Sequence, residues 1–291
     1  PFFMMIRRSL NTFMNAFTSS DWTAYPFASQ NKKDFNNLLE VYLDAVFFAK
    51  LDPLDVSQEG HRVEFEEPNN PASELVYKGV VFNEMKGAMS SISSQLWHGM
   101  SKHLYPSSTY KHNSGGNPEN IIDLTHEYLV NFHKKHYHPS NATFFTFGDI
   151  DPLEIQSYIN ENVLKSFKPE ENDINVKNEN RIDAPKTVSE FYNPMPEDEN
   201  NHHVVLGWLI GESHEPVELL ESYLMANILL DNSASPLRKV LENTDLGKSL
   251  SPLTGLEADH KELVFAAGLE GVDSNNQQQV EDLIMNCLKD V

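Results

Sequence analysis

Glu84 is the residue in this sequence whose type and surroundings point most clearly to metal chemistry. If the segment from Tyr77 to Ala88 is helical, residues three and four positions from Glu84 share its face. Those neighbours are small or apolar: Val80, Val81, Gly87 and Ala88, with Tyr77 two turns back. Burying an isolated carboxylate is costly unless it is paired or binds a metal ion. The pattern therefore favours a cation facing Glu84, either a metal ion or an Arg or Lys across a core; the remaining alternative is a side chain that leans into solvent.

The histidines offer a second place to look for a metal site. His133, His136 and His138 lie in one short run. Their spacing does not suit a pair of ligands on one helix, and no Cys lies near them. Two further pairs are five positions apart or adjacent, so that their side chains diverge: His98 with His103, and His202 with His203. We interpret all of these histidines as structural.

The run Leu-Val-Tyr-Lys-Gly-Val-Val-Phe-Asn-Glu-Met-Lys-Gly-Ala, residues 75–88, carries a family resemblance. It resembles the segment that supplies the third zinc ligand in the presequence protease subfamily of the pitrilysin/insulinase-type zinc metallopeptidases. Residues 1–27 and 132–148 also resemble that family. The resemblance implies one Zn²⁺ as cofactor, with Glu84 as a metal ligand.

In that family, two His ligands and a general-base Glu come from a His-x-x-Glu-His motif on one helix, a spacing that places both His on one face. No histidine of this sequence fits the motif. The resemblance therefore implies an N-terminal fragment that begins just after the motif helix. It also implies that the fragment holds no catalytic residue and is inactive alone.

A predicted edge strand is the second site that the resemblance implies. Its residues are Phe13, Met14, Asn15, Ala16, Phe17 and Thr18. In relatives, the matching strand is an open edge to which a peptide substrate adds as an extra strand, main chain to main chain. Phe2, Phe3 and Ile6 match positions that line an apolar pocket beside the scissile bond. The alternatives are an ordinary edge strand and core positions, respectively.

The elements that must position these residues follow from periodicity and turn residues. Residues 10–18 and 22–28 predict a hairpin, residues 31–50 a core helix, and residues 142–148 a strand. The polar, aperiodic residues 168–187 predict a linker between two domains. Together with these elements, the family resemblance implies an α+β fold of the pitrilysin type, a mixed or antiparallel sheet with helices on one face, repeated twice. The first copy would span residues 1–167 without its N-terminal strand and motif helix, and the second, without metal, residues 188–291, truncated at its C-terminus.

Composition narrows the possible partners. The 291 residues carry a net charge of −21, which argues against a nucleic-acid partner and would attract cationic peptides. No apolar run approaches the length that spans a membrane, so a membrane is not expected as a partner. The single Cys287 excludes an internal disulfide framework. The family resemblance implies a mitochondrial or other organellar location.

The family resemblance thus implies part of a zinc metalloendopeptidase that degrades short, unstructured, targeting-peptide-like substrates in a closed chamber, with the C-terminal half of the same polypeptide as partner. Two alternatives stay open. One is a non-catalytic scaffold subunit with the same fold, and the other is a peptide-binding subunit that never held a metal.

Overall fold

The computed structural model describes residues 7–171, 174–192 and 202–291. Phe2, Phe3 and Ile6 therefore lie outside the described residues. The chain divides into two compact units. The first unit comprises Pro1–Met85 and Gly115–Asn175, and the second comprises Lys86–Ser114 and Val176–Val291.

The strands and helices of the described residues follow one another in groups along the chain. The strands are β1 (Asn11–Met14), β2 (Phe17–Thr18), β3 (Thr23–Ala24), β4 (Phe27–Ser29), β5 (Arg62–Phe65), β6 (Leu75–Lys78), β7 (His202–Glu212), β8 (Ser249–Leu250), β9 (Gly255–Glu257) and β10 (Glu262–Val272). The helices are α1 (Lys32–Phe47), α2 (Pro53–Glu59), α3 (Val80–Ala88), α4 (Ile92–Leu104), α5 (Pro118–Ile121), α6 (His126–His136), α7 (Pro152–Asn162), α8 (Pro216–Leu230), α9 (Pro236–Glu242) and α10 (Gln277–Asp290). No helix in the described ranges is long and apolar enough to cross a membrane.

The first unit combines small antiparallel strand pairs with a helical core. β1 pairs with β4, β2 with β3, and β5 with β6, so the predicted hairpin is confirmed. Leu39, Leu43 and Phe47 of α1 pack against Ile155 and Ile159 of α7. Within each helix these positions recur at four-residue spacing, which is why the predicted core helix forms here.

Local capping fixes where the helices begin. The Asn31 side chain accepts a hydrogen bond from the Asp34 N–H at the start of α1, Thr125 caps α6 and Asp151 caps α7. The predicted start of the helix that carries Glu84 was wrong. Tyr77 belongs to β6, and α3 begins only after Gly79. A Cβ at Gly79 would lie 2.0 Å from the Gly60 carbonyl oxygen, so only glycine permits this close turn.

The predicted strand at residues 142–148 is also wrong. The segment has no regular secondary structure, and no strand of the described residues pairs with it. Phe145 is 86% exposed and Phe147 90% exposed, although Phe144 contacts the Phe47 ring at 5.8 Å between centroids. β-branched and aromatic residues favour a strand, but a strand forms only where a neighbour supplies hydrogen bonds.

The second unit is built on one antiparallel sheet in the order β7-β10-β8, with β9 also paired to β10. One sheet face, which carries Phe265, Ala267 and Leu269, packs against α8, α9 and α10. On the opposite face, Val264 packs against Tyr105 and Tyr110, which follow α4. Side chains from other elements therefore cover both faces of this sheet. The reason is that β10 is apolar on both sides over most of its length, so both faces need cover.

This packing divides the chain differently from the predicted domains. Residues 86–114 pack with the second unit instead of belonging to a block 1–167. Part of the predicted linker 168–187 is also tightly bound to that unit. The Glu179 carboxylate accepts hydrogen bonds from the Ser107 N–H at 2.8 Å, the Ser107 hydroxyl at 2.7 Å, and the N–H groups of Ser108 and Asn180 at 3.1 Å. Burial acts to raise the pKa of Glu179, but these hydrogen bonds outweigh it and hold the pKa below its ordinary value.

A fully buried carboxylate anchors the same segment. Glu262, on β10, has no solvent exposure. It accepts a hydrogen bond from the Glu179 N–H at 2.6 Å and forms an ion pair with the Arg181 guanidinium at 2.6 Å. Residues 179–181 are thus held by buried charge, a contact that aperiodic polar sequence does not reveal.

Candidate functional site

Glu84 lies on an exposed face of α3. Its neighbours on that face are exposed too: Val80 by 53% and Val81 by 38%. A Cβ placed on Gly87 would meet nothing within 4 Å, so the face is open there as well. The buried residue of α3 is Met85, which is turned by about 100° from Glu84 around the helix. Of the alternatives that the sequence left open, the structure shows a side chain that leans into solvent, because the whole apolar stripe of α3 is uncovered among the described residues.

Among the described residues, Glu84 has no neighbouring groups that would complete a metal site. Within them, Glu84 makes no hydrogen bond or ion pair, and no group of three or more His, Cys, Asp or Glu could hold a metal ion. A catalytic zinc ion typically takes three protein ligands. The described part of the chain therefore does not fit zinc on its own, and Glu84 as a ligand stays a prediction.

A groove of about 610 Å³ lies beside the start of α3. Its walls come from α2, β5, β6 and α3: Leu54, Ser57, Gln58, Arg62, Lys78, Gly79, Val80 and Asn83. Both cations of this groove, Arg62 and Lys78, pair with Glu64, at 2.7 and 3.1 Å. Both cations therefore share the Glu64 carboxylate, and neither forms an ion pair with Glu84.

The predicted peptide edge has a kink at its centre. β1 ends at Met14 and β2 begins at Phe17. Between them, the Asn15 N–H donates to the Pro26 carbonyl at 3.1 Å, and the Ala16 N–H donates to the Asn15 side-chain oxygen at 2.8 Å. β4 and β3 occupy one side of the two strands, and no strand in the described ranges occupies the other. The open edge is present, and its use by a peptide stays a prediction.

The aromatic residues of this edge are accessible. Phe13 and Phe17 are each 43% exposed, and their rings stack with centroids 6.1 Å apart. Together they form an apolar surface beside the kink. Such a surface could contact side chains of a peptide lying on the edge, while backbone pairing leaves the peptide sequence unspecified.

The histidines make separate contacts. The His133 ring nitrogen lies 2.9 Å from the Val46 carbonyl oxygen, His136 packs on Phe132, and the His138 ring accepts a hydrogen bond from the Ser140 N–H at 3.1 Å. Burial, followed by the nearby Lys135 charge, lowers the pKa of His136. These contacts join α6 to α1 and stabilise the turn that follows α6.

Sequence reasoning did not assign a role to Tyr42. This residue lies in the apolar stripe of α1, and its hydroxyl donates to the Asn15 carbonyl oxygen at 3.4 Å. The position of a Tyr in a buried stripe could have indicated such a hydrogen bond, because a buried phenol hydroxyl normally finds a hydrogen-bond partner.

Comparison with solved structures defines the class of fold. The chain is similar to a protease from Helicobacter pylori, with a TM-score of 0.61 at 16% identity over 98% of this chain and 64% of that one. It is also similar to a peptidase M16 inactive domain from Pseudomonas fluorescens, with a TM-score of 0.62 at 13% identity over 95% of this chain and 61% of that one. The fold is thus the α+β fold of M16-type peptidases, as predicted.

Residues 123–291 match the family described as "Peptidase M16 inactive domain". The chain belongs to the M16 peptidase family, and the predicted family is confirmed. Its relatives include proteins named "Presequence protease, mitochondrial" from Xenopus tropicalis, at 42% identity, and Danio rerio, at 39% identity. Each match covers 100% of this chain but 29% of the relative. The chain thus spans less than a third of the length of these relatives.

Proposed function

We propose that this chain is part of a zinc metalloendopeptidase that degrades short, unstructured peptides of the targeting-peptide kind inside a closed chamber. The observation that carries the proposal is the position of Glu84, a single carboxylate in the middle of an exposed apolar helical face. Membership of a peptidase family and relatives named as presequence proteases support it.

Glu84 would need a cation when another element covers this face of α3. Val80, Val81 and Gly87 form an exposed surface, and the free energy falls when another element packs on this surface and removes it from water. That packing would remove Glu84 from water together with the valines. A carboxylate buried in this way needs a cation. We propose that the cation is Zn²⁺ and that its other ligands come from outside the described residues.

The substrate argument rests on the open edge from Phe13 to Thr18. Pairing through the main chain accepts many sequences, as a peptidase of unstructured substrates requires. We further propose that Phe2, Phe3 and Ile6 contribute an apolar pocket beside the bond that is cut. The net charge of −21 suits basic peptides.

The proposal also includes location and partner. Relatives of this chain are named mitochondrial, and we propose the same compartment for this protein. The partner would be the C-terminal half of the same polypeptide, which would close the chamber. The part of the chain that the structure describes contributes no catalytic residue to this scheme.

A second candidate is a peptide-binding or scaffold subunit without metal. Two observations favour it: the matched family is described as an inactive domain, and the described residues hold no cluster of three metal ligands. The open edge would then bind peptides without cleaving them.

The experiment compares the full-length protein with two variants, Glu84→Gln and Glu127→Gln. Glu127 is an exposed carboxylate at the start of α6 and serves as the matched control. Zinc content is measured by mass spectrometry and cleavage with a fluorogenic basic peptide, with and without a chelator. We expect Glu84→Gln to lose zinc and, with it, on the order of 100-fold or more in activity, and Glu127→Gln to match the wild type.

Two outcomes would count against the proposal. Wild-type zinc content and activity in Glu84→Gln would remove Glu84 from the metal site. Peptide binding without cleavage by the wild type, unaffected by zinc or chelator, would favour the binding subunit.

A further inference from the structure

The kink between β1 and β2 uses its backbone groups in an unusual way. The Asn15 N–H donates inward to the Pro26 carbonyl. In a regular antiparallel strand, the C=O of the same residue would accept from the same neighbouring strand. Here the Tyr42 hydroxyl takes that place, at 3.4 Å from the Asn15 carbonyl oxygen. Both backbone groups of Asn15 are therefore satisfied on the inner side of the hairpin.

Side-chain packing fixes the Tyr42 hydroxyl. Tyr42 is 7% exposed, and its ring lies 4.9 Å from the Phe27 ring between centroids. Phe27 is itself the strand partner of Met14. A second tie joins α1 to the chain before β1, where the Ser9 hydroxyl donates to the Asp34 carboxylate at 2.9 Å. Helix α1 thus holds the edge strand at both ends of β1.

We propose that Tyr42 is a positioning residue of the peptide-binding edge, which keeps Asn15 turned inward and thereby Ala16 turned outward. Successive residues of a strand direct their backbone groups to opposite sides. With Asn15 committed inward, the Ala16 N–H is the donor that faces the open edge. This inference rests on the proposed function, because it assumes that a peptide uses this edge.

The Ala16 N–H is occupied when no peptide is present. It donates to the Asn15 side-chain oxygen at 2.8 Å. A carbonyl oxygen of a bound peptide would replace that side-chain oxygen on the same donor. The burial of Tyr42 raises the pKa of its hydroxyl, so the group stays protonated and remains a donor to Asn15.

The first test removes only the hydroxyl, with Tyr42→Phe in the 291-residue chain labelled with ¹⁵N-alanine. Without the hydroxyl, the Asn15 carbonyl lacks its inner partner and the kink can rotate. We expect a shifted Ala16 amide resonance and hydrogen exchange at Ala16 about fivefold faster, the factor that corresponds to one modest hydrogen bond. The contact of 3.4 Å is long for a hydroxyl donor, so a larger factor is not expected.

Tyr158→Phe is the control. This substitution also removes one tyrosine hydroxyl from the first unit, but Tyr158 lies on α7 and packs against the core that α1 and α7 form, outside the hairpin. It should leave the Ala16 resonance unchanged. A general loss of stability in Tyr42→Phe would speed exchange at all alanines alike, and that result would contradict a positioning role.

The second test separates this inference from the proposed function. In the full-length protein, Tyr42→Phe should raise KM for a peptide about threefold to tenfold and leave kcat within about twofold, because binding is affected before chemistry. An unchanged KM with an unchanged Ala16 signal would overturn the role of Tyr42. A wild type that neither binds nor cleaves peptides would overturn the proposed function, while a perturbed Ala16 signal would still support Tyr42 as the residue that sets the kink.

Discussion

Replacing Arg181 by Met tests how firmly buried charge holds residues 179–181 to the sheet of the second unit. Glu262 is completely buried, and its carboxylate contacts the Arg181 guanidinium and the Glu179 N–H, both at 2.6 Å. Arg181→Met keeps a long apolar side chain but removes the only cation in this contact. Glu262 would then keep one hydrogen bond and lose its counter-charge.

The expected loss of stability follows from these contacts. Removing one partner of a buried ion pair typically costs about 3–5 kcal/mol, because a charge remains buried without compensation. The Arg181 side chain is 52% exposed, so water can replace part of the interaction. We therefore expect a loss of about 2–3 kcal/mol in the free energy of unfolding of the second unit. Glu262→Gln should cost less, about 1 kcal/mol, because it leaves a half-exposed cation and not a buried anion.

The assay is urea denaturation followed by tryptophan fluorescence. Trp97 and Trp208 belong to the second unit and Trp22 to the first, so a Trp22→Phe background reports on the second unit alone. In that background the double variant Arg181→Met/Glu262→Gln completes a double-mutant cycle. Its stability should lie above that of Arg181→Met, because the neutral amide no longer needs a cation.

Arg238→Met is the matched control in the same unit. Arg238 pairs with Glu242 one helical turn away, at 2.7 Å, on a partly exposed surface of α9. Exposed pairs of this kind contribute roughly 0.3–0.5 kcal/mol. If Arg181→Met cost no more than this control, or if the cycle showed no coupling with Glu262, the argument from buried charge would be refuted.

Two further predictions concern pH and solubility. The hydrogen bond from His103 holds the pKa of Glu190 below its ordinary value. The ionised Glu190 therefore stabilises the fold fully above the ordinary glutamate pKa of about 4.3. This stabilisation is lost as the pH falls through the lower pKa of the folded state. Glu190→Gln should lower the urea midpoint at neutral pH, and the difference from wild type should shrink in acid; a difference that widens in acid would contradict this sign. The double variant Phe145→Thr/Phe147→Thr should slow aggregation of the 291-residue chain, measured by light scattering, because the uncharged, strand-prone segment loses its exposed aromatic rings. Phe191→Thr removes a single exposed ring elsewhere and should have less effect. Equal effects would contradict the prediction that residues 142–148 drive aggregation.

The helices are the part of the fold that the sequence predicts best. α1 lies within the predicted range 31–50, and α8 carries sequence signals of the same local kind. Their signals are local: apolar spacing, the Asn31 cap and a proline in the first turn of α8. Interactions within one or two turns are sufficient to define such elements, so they can be found without knowledge of the rest of the fold.

Elements that depend on distant partners were not predictable in this way. Residues 142–148 have strand-forming composition, but the described residues place no strand beside them. Residues 179–181 look like a polar linker, yet Arg181 pairs with Glu262, 81 positions away. In both cases the deciding contact lies outside the window that a local pattern samples.

Glu84 shows the same limit for the candidate site. The sequence correctly groups Glu84 with Val80 and Val81 on one face, but periodicity cannot say what covers that face. Helix α8 makes the point independently, because it buries Leu229 against the sheet and still exposes Val217, Leu220, Leu224 and Ile228. A helix that is apolar on all sides normally has partners on both faces. The cost of a carboxylate among valines arises only when a partner excludes water from them. The requirement for a cation at Glu84 is therefore a property of the covered face, and it must be tested in a protein in which that face is covered.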